Sequence, residues 1–478
     1  MTRAARLPRR LGALLLAAAG AAPLAGCDES AELDGASFRS PLGPVPAAPQ
    51  PEGDPEAGYR ALVNAPYVSC GVPYDAYRRV AGAAEAGGEL PGREGRNAEL
   101  PYAATAHVDA DGVEIVSSNC LTCHAGRIDG ELIVGLGDAF ADFTRDPRRL
   151  ALQAGAYLQG EAEIAAWEHW ADRIEGIAPY IQTRTVGVNP ATNLTWALMA
   201  HRDPETLAWS EEPLIDPPPR EPLPISVPPW WGMAEKNAMF YTTIGRGDHS
   251  RFMLLASMLC IESEADVEAV AEYAADIRAY IASLQPPDWP DDLDPALAEA
   301  GAPIYARDCK ACHGAPDDPG SHPDRVYGLE EIGTDPAYAT AATDGSRDRF
   351  YAWVARSPYG DAQSAAPAPG YVAPPLGGVW ATAPYLHNGS VPNLRTLLDP
   401  AARPRFWRHR DDPRRFDREA VGWAHEALES GQADEPDPDR RRRIYDTTLE
   451  GYGNGGHLYG ADLTEAERAA LIEYLKTF

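Results

Sequence analysis

Apolar residues recur every three or four positions in several stretches of the chain, which is the spacing of amphipathic helices. In the last such stretch Thr464 precedes Glu467 by three positions, the capping-box pattern that begins a helix. Strand-like alternation is rare and brief, as in residues 112–118. The pattern therefore predicts a mainly α, loop-rich fold. The stretches with helical spacing are residues 56–64, 146–182, 250–259, 265–284 and 464–478.

Breaks in this pattern divide the chain into four parts. Residues 1–26 place several Arg and no acid before a short apolar run, as an export signal does. Residues 27–55 are rich in Pro, Ala and acids without an apolar face, so we expect a flexible tether. Residues 56–285 and 286–478 each contain one Cys-x-x-Cys-His and each end in a similar amphipathic helix. The simplest organisation is two related domains in tandem.

The end of the export signal, LAGC at residues 24–27, resembles the lipobox of bacterial lipoproteins. Cleavage before Cys27 would leave its sulfur to carry diacylglycerol, whereas ordinary cleavage nearby would leave Cys27 free. Because no later stretch approaches about 18 consecutive apolar residues, that lipid would be the only membrane attachment. We expect a lipid-anchored protein of the bacterial cell envelope that faces the periplasm.

The charge balance narrows the class of partner. The 42 Lys and Arg face 71 Asp and Glu, which gives a formal net charge of −29. Nucleic acid and anionic membrane surfaces are bound through clustered positive charge, so neither is an expected partner. A redox partner that docks electrostatically should present a basic face.

The chemistry of the chain is concentrated in two short motifs. Cys120, Cys123 and His124 form one Cys-x-x-Cys-His, and Cys309, Cys312 and His313 form the other. Two thiols three positions apart lie on one side of a helical turn, where they can form thioethers with a haem, and the next His can bind its iron. We therefore expect two covalently bound c-type haems.

Three other interpretations of the motifs are weaker. A zinc site made of four cysteines would join pairs far apart in the chain. A thioredoxin-like redox pair needs no His, and no βαβ pattern surrounds either motif. Two structural disulfides would give no reason for a His after both pairs.

Two cysteines remain after the haem and lipid assignments, Cys70 and Cys260. In an oxidising periplasm we expect them to form a disulfide. Two buried free thiols are the alternative.

The sixth iron ligand decides what each haem does. All six Met lie at or before Met258, so the second haem has no Met ligand unless one reaches across from the first domain. His387 is favoured, since Pro384, Gly389 and Pro392 form a turn around it. The full set of histidines available to the second haem is His322, His387, His409, His425 and His457.

For the first haem, an open position and several ligands are compatible with the sequence. The aromatic-rich residues 228–255 favour a distal pocket in which Trp230 or Trp231 relays electrons between haems and His249 takes part in catalysis. Packing in a domain core or interface explains the same residues equally well. The candidate ligands of the first haem are Met199, Met233, Met239, Met253, His201 and His249.

The chain resembles the bacterial di-haem cytochrome c peroxidase superfamily, and within it the rubber-oxygenase-like branch. The resemblance rests on the paired motifs, on WATAPYLHNGSVPNLRTLL (380–398) and on the segment from Gly451 to the C-terminus. It implies that His124 and His313 are proximal ligands and that His387 is the distal ligand of the second haem. It also implies that Trp230 or Trp231 lies between the haems and that oxygen or peroxide binds at the first haem.

The family's peroxidases use a Met as a ligand of the electron-transferring haem. In this sequence no Met follows the second motif. This departure favours the oxygenase-like branch, or a branch in which a Tyr such as Tyr385 binds iron.

Together these features predict an exported, lipid-anchored di-haem cytochrome in which a bis-His haem exchanges electrons with a haem that activates oxygen or peroxide. The expected electron donor is a small redox protein or a quinone-linked donor. The alternatives are a pure electron-transfer cytochrome with both haems six-coordinate, and an anchored scaffold without haem.

Overall fold

The computed structural model describes residues 38–82, 87–410 and 415–478. The predicted signal peptide, the predicted lipidation site Cys27 and residues 28–37 lie outside the described residues. Among the helices of the described ranges, none is both long and apolar enough to cross a bilayer.

Helices of very different length occur along the chain, and each stretch predicted to be helical overlaps at least one of them. Residues 146–182 form two helices, and the capping box at Thr464 and Glu467 is confirmed. The helices are α1 (Pro55–Asn64), α2 (Tyr74–Ala81), α3 (Leu121–His124), α4 (Arg148–Gly155), α5 (Gly160–Ile181), α6 (Ala191–Ala200), α7 (His249–Met253), α8 (Glu264–Ala271), α9 (Ala274–Ser283), α10 (Pro295–Asp308), α11 (Lys310–His313), α12 (Leu329–Ile332), α13 (Ala337–Thr343), α14 (Asp348–Arg356), α15 (Leu394–Leu397), α16 (Pro438–Arg441) and α17 (Glu465–Leu475).

Strands are short and pair antiparallel in several small sheets. The strands are β1 (Gly43–Pro44), β2 (Val72–Pro73), β3 (Ala104–Val108), β4 (Glu114–Ser118), β5 (Ala125–Ile128), β6 (Glu131–Val134), β7 (Gly245–Gly247), β8 (Arg325–Gly328), β9 (Gln363–Ala365), β10 (Gly370–Val372), β11 (Phe406–His409), β12 (Phe416–Asp417), β13 (Gly422–Trp423), β14 (His425–Ala427) and β15 (Ile444–Asp446). The sheets have the strand orders β2-β4-β3, β5-β6, β7-β9, β1-β8-β10, β14-β11-β15 and β12-β13.

These strands correct the expected fold class. Among the residues that the structure describes, helices hold 39% and strands 13%, so the fold mixes the two and is not clearly mainly α. The sequence pattern overestimated the helical share because strands this short are too brief to show a run of alternation. The loop-rich part of the expectation holds, since long segments such as residues 201–232 contain no helix or strand.

Two helix pairs repeat the same arrangement in the two halves of the chain. α1 packs against α9, and α10 packs against α17. In each pair a glycine allows close approach: a Cβ at Gly58 would lie 1.9 Å from the Asp276 carbonyl oxygen, and one at Gly301 would lie 2.1 Å from that of Ala470. The first helix of each pair also starts alike, with an Asp N-cap followed by Pro. The internal repeat seen in the sequence therefore has a structural counterpart.

The two halves nevertheless share one core. The described residues from 38 to 478 form a single compact unit, so the expected boundary at residue 286 does not separate two bodies. Trp196 of the first half stacks on Phe350 of the second, with ring centroids 5.1 Å apart. Both belong to an apolar cluster that also includes Leu255 and Trp353.

The expected tether is shorter than residues 27–55. Phe38 is buried, and Arg39 makes an ion pair with Asp348 at 2.5 Å. β1 pairs with β8. From residue 38 onward this segment therefore packs on the body of the protein, because its few apolar residues find partners that its composition does not reveal.

Cys70 and Cys260 are joined by a disulfide, with Cα atoms 5.6 Å apart and a sequence separation of 190. Both cysteines are buried in the largest apolar cluster. The bond ties the segment before the first motif to the segment that leads into α8.

We expect the Cys70→Ser/Cys260→Ser double variant to lose roughly 2–5 kcal/mol of unfolding free energy, because the bond restrains a long loop in the unfolded chain. Thermal unfolding followed by circular dichroism measures this loss. As a control, a reductant should lower the midpoint of the wild-type protein and leave that of the double variant unchanged. An unchanged midpoint in the variant would contradict a stabilising disulfide.

Candidate functional site

The two motifs build two separate sites. The first motif site is defined by Cys120, Cys123 and His124, and the second motif site by Cys309, Cys312 and His313. In both, the second cysteine and the histidine lie on a one-turn helix, α3 or α11. This turn places the two thiols and the imidazole of each motif close together, as the spacing predicts.

A cavity of about 210 Å³ adjoins the second motif site. Cys309, Cys312 and His313 line it together with His387. Most of the other lining residues are apolar or aromatic, among them Val227, Tyr371, Pro375, Leu376, Val379, Tyr385 and Leu398. An apolar cavity with two cysteines and three histidines on its wall, the third being His457, suits a large apolar cofactor held through thiols and imidazoles.

His313 is held in the form that can bind a metal. Its Nδ1 donates to the Pro374 carbonyl oxygen at 2.7 Å, so Nε2 keeps its lone pair. Burial lowers the pKa of His313 to about 4, which keeps the imidazole neutral at pH 7. A neutral imidazole with Nδ1 bonded to a backbone carbonyl is the usual state of a metal-binding histidine.

His387 is the second metal-binding candidate on the cavity wall. The side chain is buried, and within the described residues its Nε2 has no hydrogen-bond partner. Its ring stacks on Tyr371, with centroids 4.1 Å apart and planes 20° from parallel. Burial lowers the pKa of His387 to about 3, so the ring is neutral. An unpartnered nitrogen in an apolar wall is costly unless a ligand such as iron completes it.

A closed turn holds His387 in place. Tyr385 and Val391 exchange two backbone hydrogen bonds across it, of 2.7 and 3.3 Å. Gly389 has φ +72°, a left-handed conformation that glycine adopts without strain. The backbone N–H of Ser226 donates to the His387 carbonyl oxygen at 2.8 Å. The predicted turn therefore exists and points its histidine into the cavity.

The remaining histidines of the second half divide into two groups. His457 also lines the cavity, with its ring centroid 6.3 Å from that of His313. His322, His409 and His425 are not among the cavity-lining residues that the structure describes. Only His387 and His457 are therefore placed to compete for the second site.

The hydroxyl of Tyr385, the alternative iron ligand, already makes a hydrogen bond within the protein. Tyr385 lines the cavity, and its hydroxyl donates to the Val379 carbonyl oxygen at 3.0 Å. A tyrosinate ligand would have to give up this bond, and burial raises the pKa of Tyr385 well above its usual value. The geometry favours His387 over Tyr385.

The first motif site is built on a hairpin. The N–H groups of Gly135 and Asp138 donate to the carbonyl oxygens of His124 and Cys123 at 2.8 and 2.9 Å, which fastens the motif to β5 and β6. Burial raises the pKa of Cys120 to about 12 and lowers that of His124 to about 3. His124 Nδ1 has no hydrogen-bond partner in the described part of the chain. The site thus offers neutral thiols and a neutral imidazole.

An apolar cluster surrounds the first motif site. Cys120 packs against buried side chains from α1, α9 and the turn that precedes residue 236. The cluster consists of Leu62, Leu121, Ala125, Trp230, Met233, Ile277 and Ile281, with Met239 and Met253 packed against it. Three of the predicted Met candidates therefore lie near the first site.

The other predicted ligands of the first haem have different positions. Met199 and His201 are not part of the cluster around the first motif site. The ring of His201 stacks on Trp209, and its Nδ1 donates to the Ser210 carbonyl oxygen at 2.9 Å. His249 begins α7 and shares a face with Met253, four residues on. His249 is 1% exposed, and burial lowers its pKa to about 4. Neither ring nitrogen makes a well-aligned hydrogen bond within the described residues, although the Asn237 backbone lies close by.

The two adjacent tryptophans face different sites. Trp230 stacks on His124, with ring centroids 4.7 Å apart and planes 22° from parallel. Trp231 donates through Nε1 to the Gly377 carbonyl oxygen at 2.8 Å, and Gly377 lines the cavity of the second site. These two residues therefore connect the two motif sites through one peptide bond.

Three contributors to the site were missed from the sequence. Tyr371 stacks on His387, and Pro374 accepts from His313, but neither stands in a recognisable pattern. Lys236 lines the cavity, and its rarity was a signal, since the chain has only three lysines. In the described part of the chain no group of three or more His, Cys, Asp or Glu is arranged to hold a bare metal ion, so the zinc alternative gains no support.

Comparison with known proteins supports one part of this picture. The family model described as "RoxA-like, cytochrome c-like" matches residues 370–408, which include Tyr371, Tyr385 and His387. The chain thus contains a cytochrome c-like segment, which indicates covalently bound haem. The match covers a small part of the chain and neither Cys-x-x-Cys-His.

Two curated relatives come from Sinorhizobium fredii (strain NBRC 101917 / NGR234). "Uncharacterized protein y4iM" is 32% identical over 239 residues, covering 42% of this chain and 53% of that protein. "Uncharacterized protein y4iJ" is 32% identical over 260 residues, covering 41% of each. The chain spans about half the length of the curated relatives it matches, and their names assign no activity.

If His387 binds the iron of a haem in this cavity, its replacement by Ala should convert that haem from low spin to high spin, because the sixth ligand is lost. Electron paramagnetic resonance and the absorption spectrum of the oxidised protein report the change. His457→Ala is the matched control, since His457 lines the same cavity, and it should leave the haem low spin. The opposite result, with a spectral change only in the His457 variant, would reassign the ligand.

Proposed function

We propose that the protein is an exported, lipid-anchored c-type cytochrome with two covalently bound haems, an oxidoreductase related to the rubber-oxygenase-like branch of di-haem cytochromes. The observation that carries the proposal is the shared cavity of Cys309, Cys312, His313 and His387, in which two neutral imidazoles face one apolar space. The match of residues 370–408 to a cytochrome c-like family supports it.

Cys309 and Cys312 would hold the second haem through thioethers, and His313 and His387 would bind its iron. Bound haem supplies a one-electron couple at iron and, where its sixth position is open, a place for oxygen or peroxide. Two imidazoles leave no open position, so the residues of the second site favour electron transfer. Tyr371 and the turn of residues 385–391 fix the ring of His387, which keeps that ligand in place.

The first haem is held by Cys120, Cys123 and His124, and we assign oxygen or peroxide chemistry to it. His249 is the residue best suited to handle a proton there. It is neutral at pH 7, lies on the face of α7 that carries Met253, and has both ring nitrogens without a well-aligned partner in the described residues. Trp230 and Trp231 provide the electron path between the sites.

A second candidate function, pure electron transfer with two six-coordinate haems, has its own supporting observation. Met233, Met239 and Met253 pack in or against the cluster that contains Cys120. A thioether from one of them would close the sixth position of the first haem, as in other electron-transfer cytochromes. The spectrum of the first haem distinguishes the two functions.

The cellular setting follows from the N-terminal sequence. Residues 1–26 act as the lipoprotein signal and Cys27 carries the lipid, which holds the protein at the bacterial membrane facing the periplasm. The electron donor is a small redox protein or a quinone-linked donor with a basic docking face, since the chain carries a net charge of −29.

A pyridine haemochrome assay should find two haems per chain. The Cys120→Ser/Cys123→Ser and Cys309→Ser/Cys312→Ser variants should each retain one, because each motif attaches its own haem. Mass spectrometry of the purified variants checks the same count. A single haem in the wild-type protein would contradict the proposal.

Carbon monoxide and cyanide should bind the first haem only. We expect the Cys309→Ser/Cys312→Ser variant to keep the ligand-induced spectral change and the Cys120→Ser/Cys123→Ser variant to lose it. A fully low-spin spectrum that neither ligand nor peroxide alters would favour the pure electron-transfer function instead.

Replacement of Trp230 by Leu should slow electron transfer between the haems, because it removes the ring that stacks on His124. Trp209→Leu is the control, since Trp209 stacks on His201, outside both motif sites. Flash photolysis of the carbon monoxide complex in the half-reduced protein measures the rate. Equal rates in the wild-type protein and the Trp230 variant would remove Trp230 from the path.

A further inference from the structure

Lys236 occupies an unusual position on the wall of the second cavity. Among the lining residues that the structure describes it is the only lysine or arginine, and Asp308 is the only carboxylate. Asp308 is paired with Arg307 at 2.6 Å, which satisfies its charge. Among the described residues of this wall, the ammonium group of Lys236 is therefore the only charge without an ion-pair partner.

The described carboxylates near Lys236 make no direct ion pair with its ammonium group. Within the described residues it makes no ion pair, although Asp324 and Glu235 lie near enough to affect its pKa. One carboxylate oxygen of Asp324 already accepts the Asn237 N–H at 2.6 Å. The side chain of Lys236 is half-buried, and burial lowers its pKa. A charge in this setting is costly unless a bound group of opposite charge completes it.

The backbone places Lys236 next to the residues that join the two sites. The N–H groups of Met233 and Lys236 donate to the carbonyl oxygens of Trp230 and Met233 at 2.8 and 3.2 Å. These successive turns place Lys236 on the backbone that directly follows Trp230, whose ring stacks on His124 of the first motif site. Because Lys236 also lines the second cavity, it is linked to both motif sites.

We propose that Lys236 binds a carboxylate of the haem in the second cavity and that its charge raises the reduction potential of both haems. The inference rests on the proposed function and assigns to Lys236 a role as a positioning residue. A haem carries two propionate carboxylates, and the described wall of this cavity offers no other lysine or arginine to receive them. A positive charge near iron favours the reduced state, since that state carries one positive charge less.

The test is a spectroelectrochemical titration of the holoprotein. Lys236→Gln should make the midpoint potentials of both haems more negative, and Lys236→Arg should restore values near those of the wild-type protein. Lys236→Met retains the aliphatic stem and replaces the Gln variant if that variant does not fold. Unchanged potentials in the Gln or Met variant, or a failure of Arg to restore them, would overturn the proposal.

Lys310→Gln is the matched control. Lys310 is exposed and adjoins Cys309, so its charge is screened by water although it lies close to the second haem. We expect a smaller shift at the second haem and none at the first. A shift at both haems equal to that of Lys236→Gln would mean that any nearby lysine has the same effect, and the specific role would be lost.

Resonance Raman spectroscopy tests the carboxylate contact itself. The propionate bending band of the second haem should shift in Lys236→Gln and return in Lys236→Arg. If Lys236→Gln contains two haems with normal absorption spectra but has unaltered potentials and bending bands, only the role of Lys236 is refuted. Absence of haem from the wild-type protein would refute the proposed function, so the two failures are distinguishable.

Discussion

The arrangement of the protein depends on one short segment, residues 226–236, which is fixed at both motif sites by backbone hydrogen bonds. Ser226 donates to the carbonyl oxygen of His387, and Trp230 donates to that of Gly135 in the hairpin of the first motif. Each bond is 2.8 Å long, and each ends beside a candidate iron ligand. Movement of the segment at one motif site would therefore also displace the hydrogen-bonded groups at the other motif site.

This segment also explains why a repeated chain folds as one unit. The two Gly-containing helix pairs, α1 with α9 and α10 with α17, could each support a small domain of their own. The wall of the second cavity, however, takes residues from both sides of the expected boundary, including Val227 and Lys236 as well as His313 and His387. Separation of the halves would open this apolar wall to water, at a cost that grows with the area exposed.

The sequence predicted the parts of the structure that depend on local spacing. The motif turns, the capping box at Thr464, the turn around His387 and the pairing left for Cys70 and Cys260 all follow from residues close in sequence or from counting. The short strands, the packing of residues 38–54 and the ring of Tyr371 against His387 depend on contacts between distant segments. Such contacts leave no periodic signal in a single sequence, which is why the strand content and the tether were misjudged.

The distribution of charge separates the protein into an acidic exterior and a nearly uncharged site. Burial keeps His124, His313 and His387 neutral, so the expected iron ligands bring no charge of their own. The many carboxylates lie mostly at the surface, where water and salt screen them. The ammonium of Lys236 on the cavity wall then has a disproportionate influence, because electrostatic interactions strengthen as the surroundings become less polar. In a chain with three lysines, the position of this one carries more physical meaning than the net charge does.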